Sequence, residues 1–422
     1  MKKPFGLLAF LCLLNILNQV DRNLLTSFAP QITSELNLSD SQFGLLTGLI
    51  FVFFYAVMGL FMGALADKHS RPKLIAAGLI LWSALTAFSG AAKSFAQLAF
   101  ARLLIGVGES ALTPASMSML SDVFPAKKRG TASAIYYLGV PLGAGASFLI
   151  AGILGPVIGW RNCFYILGAL GLFLSIFLFF MKDPERGAMD DQIKQPDDSL
   201  SLKESIPVII ATLKQKPALF YTMLGAVFLH IPLGSGQFAQ LWLVRERGFE
   251  AAEIATIYGA MFIFFGTIGI LIGGIVSDWY QARFKGGRTR FLAIFTLSIT
   301  PLLLAYRLIS PDSIFFYVGI AAGFVSFTAF YGPAFSTVQD LSPARIRGSM
   351  TAVLLLACNL LGIGFGAVLT GVLSDILKAN GVSEPLTWSL ITGDVIAAMT
   401  IVCFFIASIY YEKDKKEPIT NG

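Results

Sequence analysis

The sequence predicts an all-α membrane protein: twelve transmembrane helices in two pseudo-symmetric six-helix bundles. Three observations carry this. The 422 residues are 55% hydrophobic and only 13% charged, with a mean hydropathy of +0.73, about half the charge of an ordinary soluble protein. Apolar runs of roughly 20 residues recur along the whole chain, long enough to cross a hydrocarbon core. Two loop motifs also occur twice, once in each half of the chain.

The first span begins after Lys2 and Lys3, a start that mimics a signal peptide. No small-residue cleavage site follows, and the run continues through Asn15, Asn18, Gln19, Asp21 and Arg22 to about Ala29. It therefore reads as an uncleaved first helix. The predicted spans are 5–30, 42–66, 73–93, 95–121, 130–156, 160–181, 217–244, 254–277, 290–309, 312–338, 348–376 and 386–411. With the N-terminus cytoplasmic, 23 lysines and arginines fall in cytoplasmic segments. Six fall opposite: Lys93, Arg161, Arg245, Arg247, Arg307 and Lys378. That asymmetry predicts both termini on the cytoplasmic side. It also removes the reason to invoke nucleic acid for the net charge of +6.

Between spans 6 and 7 lies one long polar segment, 182–216, with Pro184, Pro196, Asp190, Asp191, Asp197 and Asp198. It reads as a linker between an N-terminal bundle, 1–181, and a C-terminal bundle, 217–422. Within it, Ser205–Leu213 suits a short interfacial helix. The halves repeat. Gly63-Ala-Leu-Ala-Asp67 after span 2 matches Gly274-Ile-Val-Ser-Asp278 after span 8, offset by 211. Asp122-Val-Phe-Pro-Ala-Lys-Lys-Arg129-Gly130 after span 4 matches Asp340-Leu-Ser-Pro-Ala-Arg-Ile-Arg347-Gly348 after span 10, offset by 218. Six is an even number of crossings, so the repeats share one membrane orientation. Such parallel repeats point to a transporter with its site between the halves.

Span 4 carries the chemistry. Arg102, Gly106, Glu109, Thr113 and Ser116 recur at helical spacing and stack on one face. In span 1, Asn15, Asn18, Gln19, Arg22 and Thr26 form a second polar stripe, with Asp21 at its edge. At ~1.5 Å rise per residue, Asp21, Arg22, Arg102 and Glu109 reach overlapping depths, so they are expected to form a charge-neutral cluster. Ionisable groups within a membrane are costly and default to function. Glu109 is the first candidate to carry a proton and Asp21 the second; a static ion-pair network locking span 1 to span 4 is the plainer alternative. His230, Gln237 and Gln240 in span 7, Tyr331 in span 10 and Asn359 in span 11 are expected to line the C-terminal wall, and Asp394 to lie near the outer surface. Gly362, Gly364 and Gly366 suit close helix packing.

Other chemistries find no support. Cys12, Cys163, Cys358 and Cys403 all fall in predicted helices, so no disulfide framework is visible. His69 and His230 are too few and too far apart for a metal site. No nucleotide-binding loop, triad or hydrolase motif appears, so neither an enzyme nor a cofactor is expected.

Gly63-Ala-Leu-Ala-Asp67-Lys-His-Ser-Arg71-Pro-Lys73 resembles the loop 2–3 signature of the major facilitator superfamily, with a degenerate copy at Gly274–Arg283. Leu98 to Gly106, with Arg102, is similar to the superfamily's helix 4 motif. Within it, Asp21-Arg22, Gly106-Val-Gly-Glu109-Ser110 and Tyr136-Tyr-Leu-Gly-Val-Pro141-Leu-Gly143-Ala-Gly145 resemble Spinster-type transporters. The resemblance implies alternating access. Asp67, Arg71 and Asp122, with Arg129, would act as a cytoplasmic gating relay. Asp278, Arg283 and Asp340, with Arg347, would be its weaker copy. It also implies a lysophospholipid-like or sphingoid amphiphile. The polar residues of the first bundle expected to handle a substrate are Asn15, Asn18, Gln19, Arg22, Arg102, Thr113 and Tyr136. Proton coupling is expected. Asp-Arg in span 1 also occurs in organic anion symporters, which keeps a carboxylate substrate for Arg22 and Arg102 as an alternative; a non-transporting sensor or scaffold is the other. Span 5 has glycines like the superfamily's antiporter motif, but Pro141 departs from it and leaves direction open. The expected partners are a small-molecule or lipid substrate, protons and the bilayer, for a monomer in a bacterial inner membrane.

Overall fold

The computed structural model describes residues 4–189 and 202–416. The acidic stretch 190–198 of the predicted linker lies outside them. Among the described residues the regular structure is entirely helical. Twelve helices are long and apolar enough to cross a membrane: Pro4–Ser27, Asp40–Lys68, Arg71–Ala91, Phe95–Val123, Lys127–Ile153, Gly155–Phe179, Pro217–Arg245, Ala251–Arg283, Gly287–Leu308, Ile314–Leu341, Arg347–Ala379 and Pro385–Lys416. They are numbered spans 1 to 12 here. Each predicted span is present, with ends shifted by a few residues; spans 8 and 12 run on furthest. A linker helix, Leu202–Gln215, is longer than the predicted Ser205–Leu213.

The chain divides into two compact units. Unit 1 is Met1–Ile193 with Gln237–Ile263, and unit 2 is Lys194–Gly236 with Phe264–Gly422. The repeat is visible in where helices break. Span 1 ends at Phe28, followed by the short helix Ala29–Glu35 with Pro30 in its first turn. Span 4 breaks at Ser110 and Ala111, just before Pro114. Span 7 tightens to a 3-10 turn at Gly236–Phe238, after Pro232. Span 10 breaks at Phe330, just before Pro333. A proline lacks the N–H for the carbonyl four residues back, and its ring crowds that carbonyl. Every third span thus carries a proline within a few residues of its break.

Within unit 1, Gly106 belongs to the packing of span 4 on span 2. A Cβ there would stand 2.8 Å from the Phe51 carbonyl oxygen. Only glycine lets the two backbones approach this closely. The segment Gln237–Ile263 packs inside unit 1 as well. Arg245 pairs with Asp40 at 2.8 Å and donates to the Thr33 hydroxyl at 2.9 Å. Thr26 hydrogen-bonds Gln237 at 2.5 Å. Between spans 1 and 2, the Glu35 carboxylate accepts from Trp160 Nε1 at 2.7 Å and Arg161 Nη2 at 2.9 Å. Those donors, the indole foremost, hold the Glu35 carboxyl below the usual carboxylate range.

Unit 2 is built on a core in which Leu219 and Met223 of span 7 meet Leu292 of span 9, Val338 of span 10, Met350 of span 11 and Phe404 of span 12. Spans 7 and 11 press backbone to backbone: a Cβ on Gly366 would stand 2.2 Å from the Ile231 carbonyl oxygen. This is the close packing expected of the span 11 glycines. Span 11 widens to a π-helix at Cys358–Gly364, and span 8 at Ile272–Val276.

Candidate functional site

The polar faces of spans 1 and 4 meet within unit 1. Arg22 donates to one carboxylate oxygen of Glu109 from Nε at 3.1 Å and from Nη2 at 3.0 Å. The Glu109 side chain is fully buried, and its other oxygen, Oε1, has no hydrogen-bond partner. The buried Asn18 amide faces this carboxyl and makes no other side-chain hydrogen bond. The Arg22 guanidinium lies over the Tyr55 ring at 4.2 Å and the Phe51 ring at 5.1 Å. Just past Glu109, at Ser110 and Ala111, span 4 keeps helical dihedrals but loses its regular hydrogen bonding.

Asp21 and Arg102 occupy different positions from Glu109. Asp21 accepts from Trp82 Nε1 at 3.1 Å, and its second oxygen is buried without a partner. Arg102 is buried without a carboxylate among the described residues. It donates at 3.4 Å to the carbonyls of Leu46 and Arg22 and lies over the Phe51 ring at 4.6 Å. The four predicted charges therefore share one region, but only Arg22 and Glu109 form an ion pair. Around them, Asn15 donates to the Tyr136 carbonyl at 2.8 Å, Thr113 and Tyr136 place their hydroxyls 3.3 Å apart, and Gln19 packs against the Gly143 backbone.

The residues expected along the second wall are spread. Gln237 bonds Thr26 in unit 1. In unit 2, His230 Nδ1 donates to the Ala226 carbonyl at 2.8 Å, and its ring sits edge-on to Phe330 and Tyr331. Asn359 donates to Leu355 in its own helix. Each of the last two is satisfied locally.

The loop motifs build a second constellation, in two copies. Arg71 opens span 3 and is fully buried. It pairs with Asp122, donates to Ser118 at 3.0 Å, to Asp183 at 2.8 Å and to the Pro184 carbonyl at 2.6 Å. Asp122 also accepts from the Gly187 amide at 2.9 Å. Asp67 is exposed and has no partner among the described residues. In unit 2, Arg288 bridges Asp278 at 2.8 Å and Asp340 at 2.9 Å, whereas Arg283 lies over Trp279. Span 8 runs on past Asp278, so the aspartate-to-arginine separation is ten residues rather than four, and Arg288 in the first turn of span 9 takes the place of Arg71. The last arginines of the two motifs match: Arg129 donates to the Phe124 carbonyl at 3.1 Å and Arg347 to the Ser342 carbonyl at 3.3 Å.

A family model for the Major Facilitator Superfamily matches residues 11–367. The chain belongs to this superfamily. It is an integral multi-pass membrane protein and a transporter. Among solved structures it is similar to a bacterial homologue of the human lysosomal transporter Spinster in an inward-facing, unoccupied conformation. The TM-score is 0.88 at 27% identity, over 99% of this chain and 100% of that one. Among curated proteins it is similar to an MFS-type efflux pump of Mycolicibacterium smegmatis, 27% identical over 98% of this chain and 94% of the relative. It is also similar to a sphingosine-1-phosphate transporter of Danio rerio, 24% identical over 96% of this chain and 83% of the relative. The Spinster resemblance drawn from spans 1, 4 and 5 thus holds along the whole major facilitator chain.

Several residues at these sites left little trace in the sequence. Trp82 lies in an apolar run and has no charged or polar neighbour in sequence that points to Asp21. Asp183 looked like the start of the polar linker, yet Asp183–Gly187 is anchored to the Arg71 network. Arg307, counted as an outer loop charge, is buried and paired with Asp394 at 3.1 Å. An aspartate within span 12 was the signal for that pair, since a buried carboxylate calls for a cation.

Proposed function

We propose that this transporter works by alternating access, is coupled to protons, and moves an amphipathic lipid-like substrate of lysophospholipid or sphingoid type. The observation that carries the coupling is Glu109. It is fully buried, held by Arg22 through one oxygen, and keeps the other unpartnered. Such a group can accept a proton without breaking the hydrogen bonds it already makes. Asp21 is the second candidate. The likeness to Spinster-type proteins over nearly the full chain supports the substrate class.

The Arg71 and Arg288 networks suit gates. They join the ends of spans 4, 8 and 10 to the starts of spans 3 and 9, and breaking them in one access state would shift the equilibrium, since only differential contacts do so. The cytoplasmic placement of both termini, a bacterial inner membrane and a monomeric state belong to the same proposal. One observation favours a second reading. Arg102 is a buried guanidinium with no ion-paired carboxylate among the described residues, which suits an anionic substrate, as in an organic anion:proton symporter.

The test is flux in proteoliposomes. A lysophospholipid should move when a pH gradient is imposed and stop when a protonophore collapses it. Uptake of a small carboxylate without lysophospholipid movement would replace the first reading with the second. Movement of neither would refute both.

A further inference from the structure

The linker helix Leu202–Gln215 is fastened to unit 2 along one side. Ser205, Ile209 and Thr212 are buried, and Ile209 joins the unit 2 core with Leu219, Ile346 and Met350. Its neighbouring flank is apolar and open. Ile206 and Ile210 are 51% and 49% exposed, and Lys214 continues the same line at helical spacing. Span 7 begins at Pro217, directly after the linker helix, and its Phe220 is 43% exposed. Ile210, Leu213, Lys214 and Phe220 line a shallow, open groove of about 340 Å³.

Two features identify what fills this groove. First, it opens onto the exposed apolar start of a membrane-spanning helix, because Phe220 lines the groove and is exposed on span 7. A helix with a buried side, an apolar flank and a cation at its edge is built to lie at the membrane interface. Second, the lining is aliphatic and aromatic, its one charged residue is the exposed Lys214 at the rim, and none of the four residues is acidic. A lipid with an apolar tail and a negative headgroup matches that pattern. A zwitterionic lipid offers the same tail but no net charge.

We propose that the groove between the linker helix and the start of span 7 binds an anionic phospholipid, its acyl chain against Ile210, Leu213 and Phe220 and its phosphate on Lys214. The site is separate from the Glu109 region and does not depend on the transported substrate. Bound there, a lipid holds the linker helix to the membrane surface beside spans 7 and 11, which it touches.

Native mass spectrometry of the full chain with phosphatidylglycerol and phosphatidylcholine in equal amounts tests the charge preference. One lysine at a membrane surface should favour phosphatidylglycerol about fivefold. Lys214→Glu, an exposed change, should abolish the preference, and Ile210→Asp should reduce binding of both lipids. A spin label at position 210, in a chain whose four native cysteines are replaced, should collide with oxygen and be shielded from a soluble nickel chelate in nanodiscs. Equal binding of both lipids by the unaltered chain, or a preference unchanged by Lys214→Glu, would overturn the proposal. A label open to the nickel chelate in nanodiscs would do so too.

Discussion

Arg22 places two donors on one oxygen of Glu109, at 3.1 and 3.0 Å, and leaves the other oxygen buried and unpartnered. The pair joins span 1 to span 4 while keeping one open valence. A fully engaged carboxylate would be a brace; this one can also take up a proton.

The pair should behave as a unit. Arg22→Ala leaves Glu109 buried without its cation and should cost about 3 kcal/mol. Glu109→Gln leaves Arg22 partly paired with an amide and should cost less. The double variant should be more stable than the sum of the single losses predicts, by about 1–2 kcal/mol. Thermal unfolding of the four proteins in detergent reads this directly. Additive losses would mean that the contact contributes nothing.

Arg71 and Asp67 share one loop motif but should part in their effects. Arg71 is buried among Asp122, Asp183, Ser118 and the Pro184 carbonyl, so Arg71→Ala strands two carboxylates and should lower stability by about 3 kcal/mol or more. Asp67 is exposed without a partner among the described residues. Asp67→Asn should leave stability within about 0.5 kcal/mol and still reduce transport, by changing access alone. Labelling of matched single-cysteine variants from each membrane face, beside a melting curve, separates the two effects. Equal labelling in Asp67→Asn and the unaltered chain would remove Asp67 from the gate.

Glu35 supplies a pH dependence outside the membrane. Its carboxyl is held below its ordinary value, first by Trp160 and then by Arg161. The unfolded chain therefore binds the proton more readily than the folded one. The contribution is complete above the unfolded value and is lost as the pH falls toward the folded value. The side chain is half-exposed, so its worth is below about 1 kcal/mol. Glu35→Gln should lower the melting temperature slightly at neutral pH and bring the two proteins together under acid conditions. A gap that persists or widens at low pH would contradict the assignment.

Much of this was legible in the sequence because membrane crossings and repeats are long-range patterns. Twelve apolar runs and two repeated loops specify the spans without any knowledge of contacts. Helical spacing likewise placed Arg102, Glu109 and Thr113 on one face. It could not tell which cation Glu109 meets, since Arg22 and Arg102 lie at overlapping depths and differ only in rotation and reach. The Arg22–Glu109 pair and the lone Arg102 emerge from packing. The helical pattern also put Gly106 on the polar face, whereas its small size serves a backbone contact with Phe51. Arg288 was hidden by the extension of span 8 beyond Asp278, which moves the bridging arginine away from its aligned position. Asp183 and Trp82 act through partners distant in sequence, which no local pattern encodes.

The central claim is that Glu109 carries the coupled proton. Its most direct test compares two assays of Glu109→Gln in proteoliposomes: uphill transport driven by an imposed pH gradient, and counterflow exchange at equal pH. The account predicts that counterflow persists while gradient-driven accumulation is lost. Gradient-driven accumulation equal to that of the unaltered protein would contradict it.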